Sequence, residues 1–177
     1  MQYVACNILY GGLMDIYEFL DEHGIGYERF DHPAVYTVEE AQRLVPEMPG
    51  AETKNLFLRD RKGKRHFLVV VGYDKSVDLK QLAKKIGVSK LGFASPERLM
   101  RYLGVEPGSV SLLAIVNDAA AEVEGFVDAG GWAADMLKCH PLVNTASLAI
   151  AKEDIAKILE VTGHSYMVVD VPARDVA

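Results

Sequence analysis

The sequence predicts an α/β chain built on a mixed β-sheet, and three observations predict it. Segments of helical and of strand-like periodicity alternate along the 177 residues, the order that gives layered α/β architectures. Two β-rich runs, NLFLRD and RHFLVVVGY, flank the short basic turn RKGK and read as a hairpin with Gly63 at the bend. An antiparallel pair inside an interleaved chain makes the sheet mixed rather than purely parallel. A third run, SLLAIVND, is apolar enough to lie buried on both faces, as a central strand does.

Each element has a local reason. Residues 13–23 place Leu13, Ile16, Phe19 and Leu20 on one helical face, and Gly24 stops the helix. GIGYERF follows as a short strand, broken by His32-Pro33. Thr37 and Glu40 have the spacing of a capping box, so a helix is expected over about 38–44, ended by Pro46 and Pro49. After the hairpin, Asp78 caps a helix through about residue 86, with Leu79, Leu82, Ala83 and Ile86 as its apolar stripe. Ser95-Pro96 opens another as N-cap and first helical residue. AEVEGFVDA and ASLAIA read as strands, KEDIAKILEVTG as an amphipathic helix closed by Gly163, and YMVVDV as a last strand.

Composition narrows the class. The chain is 50% hydrophobic and 25% charged, which excludes disordered and low-complexity readings and leaves one domain over residues 1–177 as the expectation. Two cysteines, Cys6 and Cys139, make neither a disulfide scaffold nor a zinc site. No apolar run approaches the roughly 20 residues of a membrane span, and the N-terminal stretch lacks a basic signal region. A cytoplasmic protein without a membrane partner is expected.

Charge is segregated. The net charge is −6, which argues against non-specific duplex binding and so against DNA. Yet Lys54 to Arg101 holds 13 basic and 4 acidic residues, against 6 basic and 21 acidic elsewhere. A basic middle in an acidic chain suits one face that meets a polyanion. Its densest parts are Arg61, Lys62, Lys64 and Arg65 on the hairpin turn, and Lys80, Lys84 and Lys85 on the helix after it.

The familiar motifs of nucleotide binding, zinc proteolysis, disulfide exchange and serine hydrolysis are absent. The histidines are scattered, with no helical pair for a metal. Three clusters remain: His32-Pro33 with Tyr36-Thr37; Thr53-Lys54-Asn55-Leu56-Phe57-Leu58; and Cys139-His140-Pro141-Leu142-Val143-Asn144-Thr145. From a strand starting near Lys54, Lys54, Leu56 and Leu58 share a face, so the ammonium lies beside apolar side chains. There it can hold a phosphate or stabilise an oxyanion; by itself the pattern equally fits a lysine reaching to solvent. His140 precedes Pro141, which keeps its backbone extended. Asn144 and Thr145 offer an amide and a hydroxyl to a substrate or to their own turn. Asp118, after Asn117, suits a turn cap.

In this order the clusters resemble the YbaK/prolyl-tRNA-editing domain family of free-standing aminoacyl-tRNA deacylases, nearest its ProX-type subgroup, which removes alanine from mischarged proline tRNA. The matching stretches are DHPAVYTVEEA, GAETKNLFLRDRKGK, VDLKQLAKKIGVSKLGFASPERLMRYLGVEPGSVS, IVND and HPLVNTASLAI, nearly the whole chain from about residue 13. The resemblance implies a curved mixed β-sheet surrounded by helices, agreeing with the element order. It implies hydrolysis of an aminoacyl ester by water, assisted by the vicinal ribose hydroxyl, with no metal or cofactor. Lys54 matches the family's key lysine, and backbone N–H groups around Gly108 would hold the carbonyl oxygen. His32, Thr53, Asn55, Ser109, His140, Asn144 and Thr145 would bind substrate, His140 shaping the pocket or, second, acting as a base. Lys62, Lys64, Arg65, Lys84 and Lys85 would contact RNA. The partners implied are aminoacyl-tRNA and prolyl-tRNA synthetase.

One departure stands out. The family's Gly-x-x-x-Pro loop reads Gly108-Ser109-Val110-Ser111-Leu112 here, without the proline that would fix φ. It supports one alternative, a same-fold deacylase for another amino acid such as cysteine on proline tRNA. The other alternative is an RNA-binding or interaction module without chemistry, against which Lys54 and His140 both weigh.

Overall fold

The computed structural model describes residues 15–35, 40 and 43–174. Leu13, Cys6, Tyr36, Thr37 and most of the expected 38–44 helix lie outside the described residues. The elements are α1 (Ile16–Glu22), β1 (Tyr27–Asp31), β2 (Thr53–Asp60), β3 (His66–Gly72), α2 (Leu79–Lys85), β4 (Leu91–Phe93) and α3 (Pro96–Leu103). A 3₁₀ segment (Leu112–Asn117) is followed by β5 (Val123–Asp128), α4 (Ala129–Trp132), β6 (Met136–Cys139), β7 (Ala146–Ala151), α5 (Lys152–Val161) and β8 (Tyr166–Val169).

Five strands form a mixed sheet in the order β4-β2-β3-β5-β8. The β4, β2 and β3 strands are antiparallel, while β3, β5 and β8 run parallel. Three further strands, β1-β7-β6, make a separate antiparallel sheet. A bridge from Ala51 to Leu137 joins the two at the entry to β2. Alternation along β3 explains why the mixed sheet is covered on both faces. Phe67, Val69 and Val71 enter a core with Leu58, Leu82, Leu91 and Phe126. Leu68 and Val70 enter a larger one with residues of α1, α3, α5 and the second sheet.

The expected caps are present. Asp78 accepts from Lys80 and Gln81 N–H at 2.8 and 3.0 Å, and Ser95 accepts from Arg98 N–H with Pro96 next to it. One expected element is different: 112–117 is a 3₁₀ helix rather than a strand. Residues 112–116 are all buried, and an apolar run of that length reads the same in either period. Ser111 decides it locally by accepting the Leu113 N–H, which turns the chain as it enters the core.

The hairpin tip is tied down. Gly63 takes φ 65°, and Asp60 Oδ1 accepts from Lys64 and Arg65 N–H at 2.8 and 3.2 Å. Arg98 Nη1 donates to the Gly63 carbonyl and to His66 Nε2, at 2.9 and 2.7 Å. Burial of His66, with Arg98 beside it, lowers its pKa and keeps it the neutral acceptor this contact requires. No helix among the described residues is long and apolar enough to cross a membrane.

Candidate active site

The joint between the two sheets leaves a cavity of about 640 Å³, walled by the start of β2, the end of β6, the Gly108 loop and residues 45–48. Thr53, Lys54 and Asn55 all line it because β2 emerges there. Lys54 is half-buried, and its side chain makes no hydrogen bond or ion pair among the described residues. Leu56 and Leu58, two and four residues on, go to the core with Phe67, so the expected shared face holds. Asn55 lines the cavity, and its Oδ1 is buried without a hydrogen-bond partner. Thr53 spends its hydroxyl on the Lys138 carbonyl at 3.3 Å, fastening β2 to β6.

His140 stands exposed on the rim beside the buried Cys139. Loss of water around its ring lowers the imidazole pKa, against a hydrogen bond with the Ala146 backbone, and His32 pushes the same way as burial. At neutral pH the ring is uncharged. Cys139 also lines the cavity, but burial pushes its thiol up to about 12, so it is not a thiolate nucleophile at physiological pH.

Gly108 lines the cavity with φ 92°. A Cβ there would meet nothing within 4 Å, so backbone conformation, not space, calls for glycine. Ser111, fully buried, donates to the His140 carbonyl at 2.6 Å while capping the 3₁₀ segment. The Gly108 loop and His140 are thereby linked directly.

Other expected residues sit a layer away. His32 is buried, with Nδ1 on the Pro33 carbonyl at 2.9 Å and Nε2 on Ser147 Oγ at 3.1 Å. Ser147, not His32, lines the cavity. Asn144 and Thr145 present carbonyls to Val35 and His32 N–H, at 3.2 and 3.0 Å, and so hold the His32-Pro33 segment. Ser109 N–H closes a turn onto the Glu106 carbonyl at 3.0 Å. None of Ser109, Asn144 and Thr145 is among the lining residues. Asp118 is a buried post for β5, accepting from Val123 N–H and His164 Nε2 at 2.7 and 3.0 Å.

The basic residues Lys62, Lys64, Arg65, Lys84 and Lys85 are all exposed, and the side chains of Lys62, Lys64 and Lys84 make no hydrogen bond or ion pair among the described residues. Arg65 is engaged instead by Glu124 in a two-pronged ion pair at 2.7 Å per contact, and Lys85 Nζ donates to the Asp170 carbonyl at 2.6 Å. The hairpin tip lies roughly 23 Å along β2 from the cavity, at about 3.3 Å per residue. Cavity residues that sequence reasoning missed include Glu47, Glu52, Tyr73, Lys138 and Ser147. Of these, Glu52 and Lys138 each adjoin one of the sequence clusters, and Ser147 lies just beyond Thr145.

The sequence profile described as aminoacyl-tRNA editing domain matches residues 32–158. Prolyl-tRNA editing protein ProX of Acetoanaerobium sticklandii is 40% identical over 152 residues, covering 86% of this chain and 93% of that protein. Prolyl-tRNA synthetase associated domain-containing protein 1 of Danio rerio is 36% identical over 155 residues, 85% of this chain and 83% of that one. The crystal structure of hypothetical protein APE2540 superposes with TM-score 0.66 at 18% identity, over 88% of this chain and 99% of that one. That of a candidate trans-editing enzyme for prolyl tRNA synthetase does so with TM-score 0.66 at 19%, over 87% and 93%. At such identities the two structures bear on the fold.

Proposed function

We propose that this chain, which belongs to the aminoacyl-tRNA editing domain family, hydrolyses the ester linking alanine to the terminal ribose of mischarged proline tRNA. It does so as a single editing domain in the cytoplasm, on tRNA released by prolyl-tRNA synthetase. The observation that carries this reading is the convergence of Lys54, Asn55, Gly108 and His140 on one cavity. A synthetic site built for proline cannot strongly reject a smaller apolar amino acid, since a methylene is worth only about 1–3 kcal/mol. A second site that admits the smaller product restores discrimination.

Water attacks the ester carbonyl, the carbonyl oxygen takes the negative charge, and the bond to the ribose oxygen breaks as that oxygen regains a proton. The products are free alanine and uncharged tRNA. Lys54 and the backbone N–H groups around Gly108 serve the developing oxyanion. Asn55, on the same wall, contacts the aminoacyl group. The test is deacylation of alanyl-, cysteinyl- and prolyl-tRNA(Pro) side by side. Alanyl ester should turn over fastest; preference for cysteinyl ester would move the reading to the alternative substrate, and no turnover would end it.

His140→Ala should change selectivity more than rate, because a neutral rim imidazole shapes the opening. The rate of the wild-type enzyme should then show no inflection from His140 below pH 6.5. A base would need the neutral ring, so its rate would fall as pH drops through the lowered pKa. A loss of about 10²-fold without altered selectivity would assign base catalysis instead.

On the hairpin, Lys62→Ala with Lys64→Ala should raise KM for charged tRNA and reduce the log–log salt slope by roughly 0.7 per contact. Adding Arg65→Ala should change binding little, since Glu124 already holds that guanidinium. Hydrolysis of alanyl-adenosine, which ends far from the tip, should be unaffected. Equal behaviour of tRNA and the minimal substrate would leave the tip as a solubility feature.

A further inference from the structure

We infer that Lys138, gripped by Glu52 at the cavity lip, is the anchor for the phosphodiester on the 5′ side of the substrate's terminal adenosine. Resting on the deacylase reading, the inference divides labour between two lysines and leaves Lys54 to the ester.

Three features place the anchor. The Lys138 peptide is bonded on both sides to the entry of β2: its N–H donates to the Ala51 carbonyl at 3.0 Å and its carbonyl accepts from Thr53 Oγ1 at 3.3 Å. Between the buried Leu137 and Cys139, Lys138 is only half-buried and lines the cavity. There Nζ meets Glu52 Oε1 at 3.0 Å, the lysine side chain 24% exposed and the carboxylate 67%.

Glu52 and Lys54 are two residues apart in an extended segment, about 6.6 Å at the strand repeat. Glu52 thus neighbours Lys54 along the chain and Lys138 through the ion pair, and all three line the cavity. The arrangement suits a substrate with a developing oxyanion at one end and a fixed anion one ribose away. An exposed carboxylate is a weak partner and swings into water readily. A phosphodiester then takes its place on Lys138, whose backbone stays fixed.

The test uses the full chain and two minimal substrates, 3′-alanyl-adenosine and the same ester carrying a 5′-methyl phosphodiester. Wild-type protein should hydrolyse both, with the lower KM for the diester; failure on both would fell the deacylase reading itself. Lys138→Met should raise KM for the diester about tenfold with kcat unchanged, the scale of a charge-assisted contact, and leave alanyl-adenosine as in wild type. Lys138→Arg should restore the diester KM, and Lys54→Ala should slow both substrates. Glu52→Gln, by removing the competing anion, should lower the diester KM. Equal effects of Lys138→Met on both substrates, no effect on the diester, or a rise in its KM with Glu52→Gln would overturn the inference while leaving the deacylase reading intact.

Discussion

Lys54→Ala is expected to lower kcat/KM for alanyl-tRNA by roughly 10²–10³-fold, the cost of removing one preorganised stabiliser of an oxyanion. The structure assigns the side chain no other task. Lys54 is half-buried on the cavity wall, and its side chain has no hydrogen bond or ion pair among the described residues. Its backbone pairs with Val71 in the β2–β3 ladder, which alanine preserves. The loss should therefore leave the fold as stable as before, with Tm within about 2 °C, because substitutions free of core or partner contacts stay near 0.5 kcal/mol. Single-turnover deacylation alongside a thermal melt separates the two quantities. Activity within a few-fold of wild type at unchanged Tm would remove Lys54 from the chemistry. Lys54→Arg should rescue little, since a planar fork does not occupy the place of a compact ammonium.

What was legible in the sequence follows from the range of the interactions. Asp78, Ser95 and Gly63 act on residues within a few positions of themselves, so their caps and turn could be read directly. The alternation of His66 to Val71 likewise announces a strand covered on both faces. The Leu112–Asn117 segment was misread because five consecutive buried apolar residues carry no period; a serine hydroxyl turned them into a 3₁₀ helix. The strands β4 and β6, of three and four residues, are too short to show alternation.

The site was legible only where a motif named it. Lys54, Asn55, Gly108 and His140 were expected to act together and do line one cavity. Lys138 belongs with them through a contact to Thr53 across 85 residues of sequence, which no local pattern encodes. The hairpin tip shows the opposite limit. Its basic run read as one set of residues facing a polyanion, but Glu124, 59 residues away, holds Arg65, and Arg98 holds the Gly63 carbonyl. Charge counts cannot tell a free arginine from one already committed to a partner.

Ser111→Ala is the variant expected to strike stability and selectivity together. The hydroxyl donates to the His140 carbonyl at 2.6 Å and accepts from Leu113 N–H at 3.3 Å, in a fully buried position. Alanine leaves a partly buried carbonyl without its donor and a helix start without its cap, a cost of about 1–3 kcal/mol. For a chain of this size the melting temperature should fall by about 2–4 °C per kcal/mol.

The functional effect follows from what the bond joins. With leucine at position 112, no proline ring stiffens the Gly108 loop, and Ser111 supplies the restraint by tying that loop to His140. Without the tie, the two sides of the opening move independently, and discrimination between alanyl and prolyl esters should drop about tenfold, within the range one small apolar group commands. Ser111→Thr keeps the hydroxyl and should recover both quantities. Leu112→Pro in the Ser111→Ala background separates them. Residue 111 is extended, with φ −131° and ψ 150°, as a residue before proline prefers, and 112 is the first helical position, where proline fits. The ring should restore selectivity by fixing the loop, while the lost packing of the buried Leu112 keeps Tm low. If Ser111→Ala lowers Tm but discrimination holds at the wild-type ratio, the bond to His140 stabilises the fold and has no part in choosing the substrate.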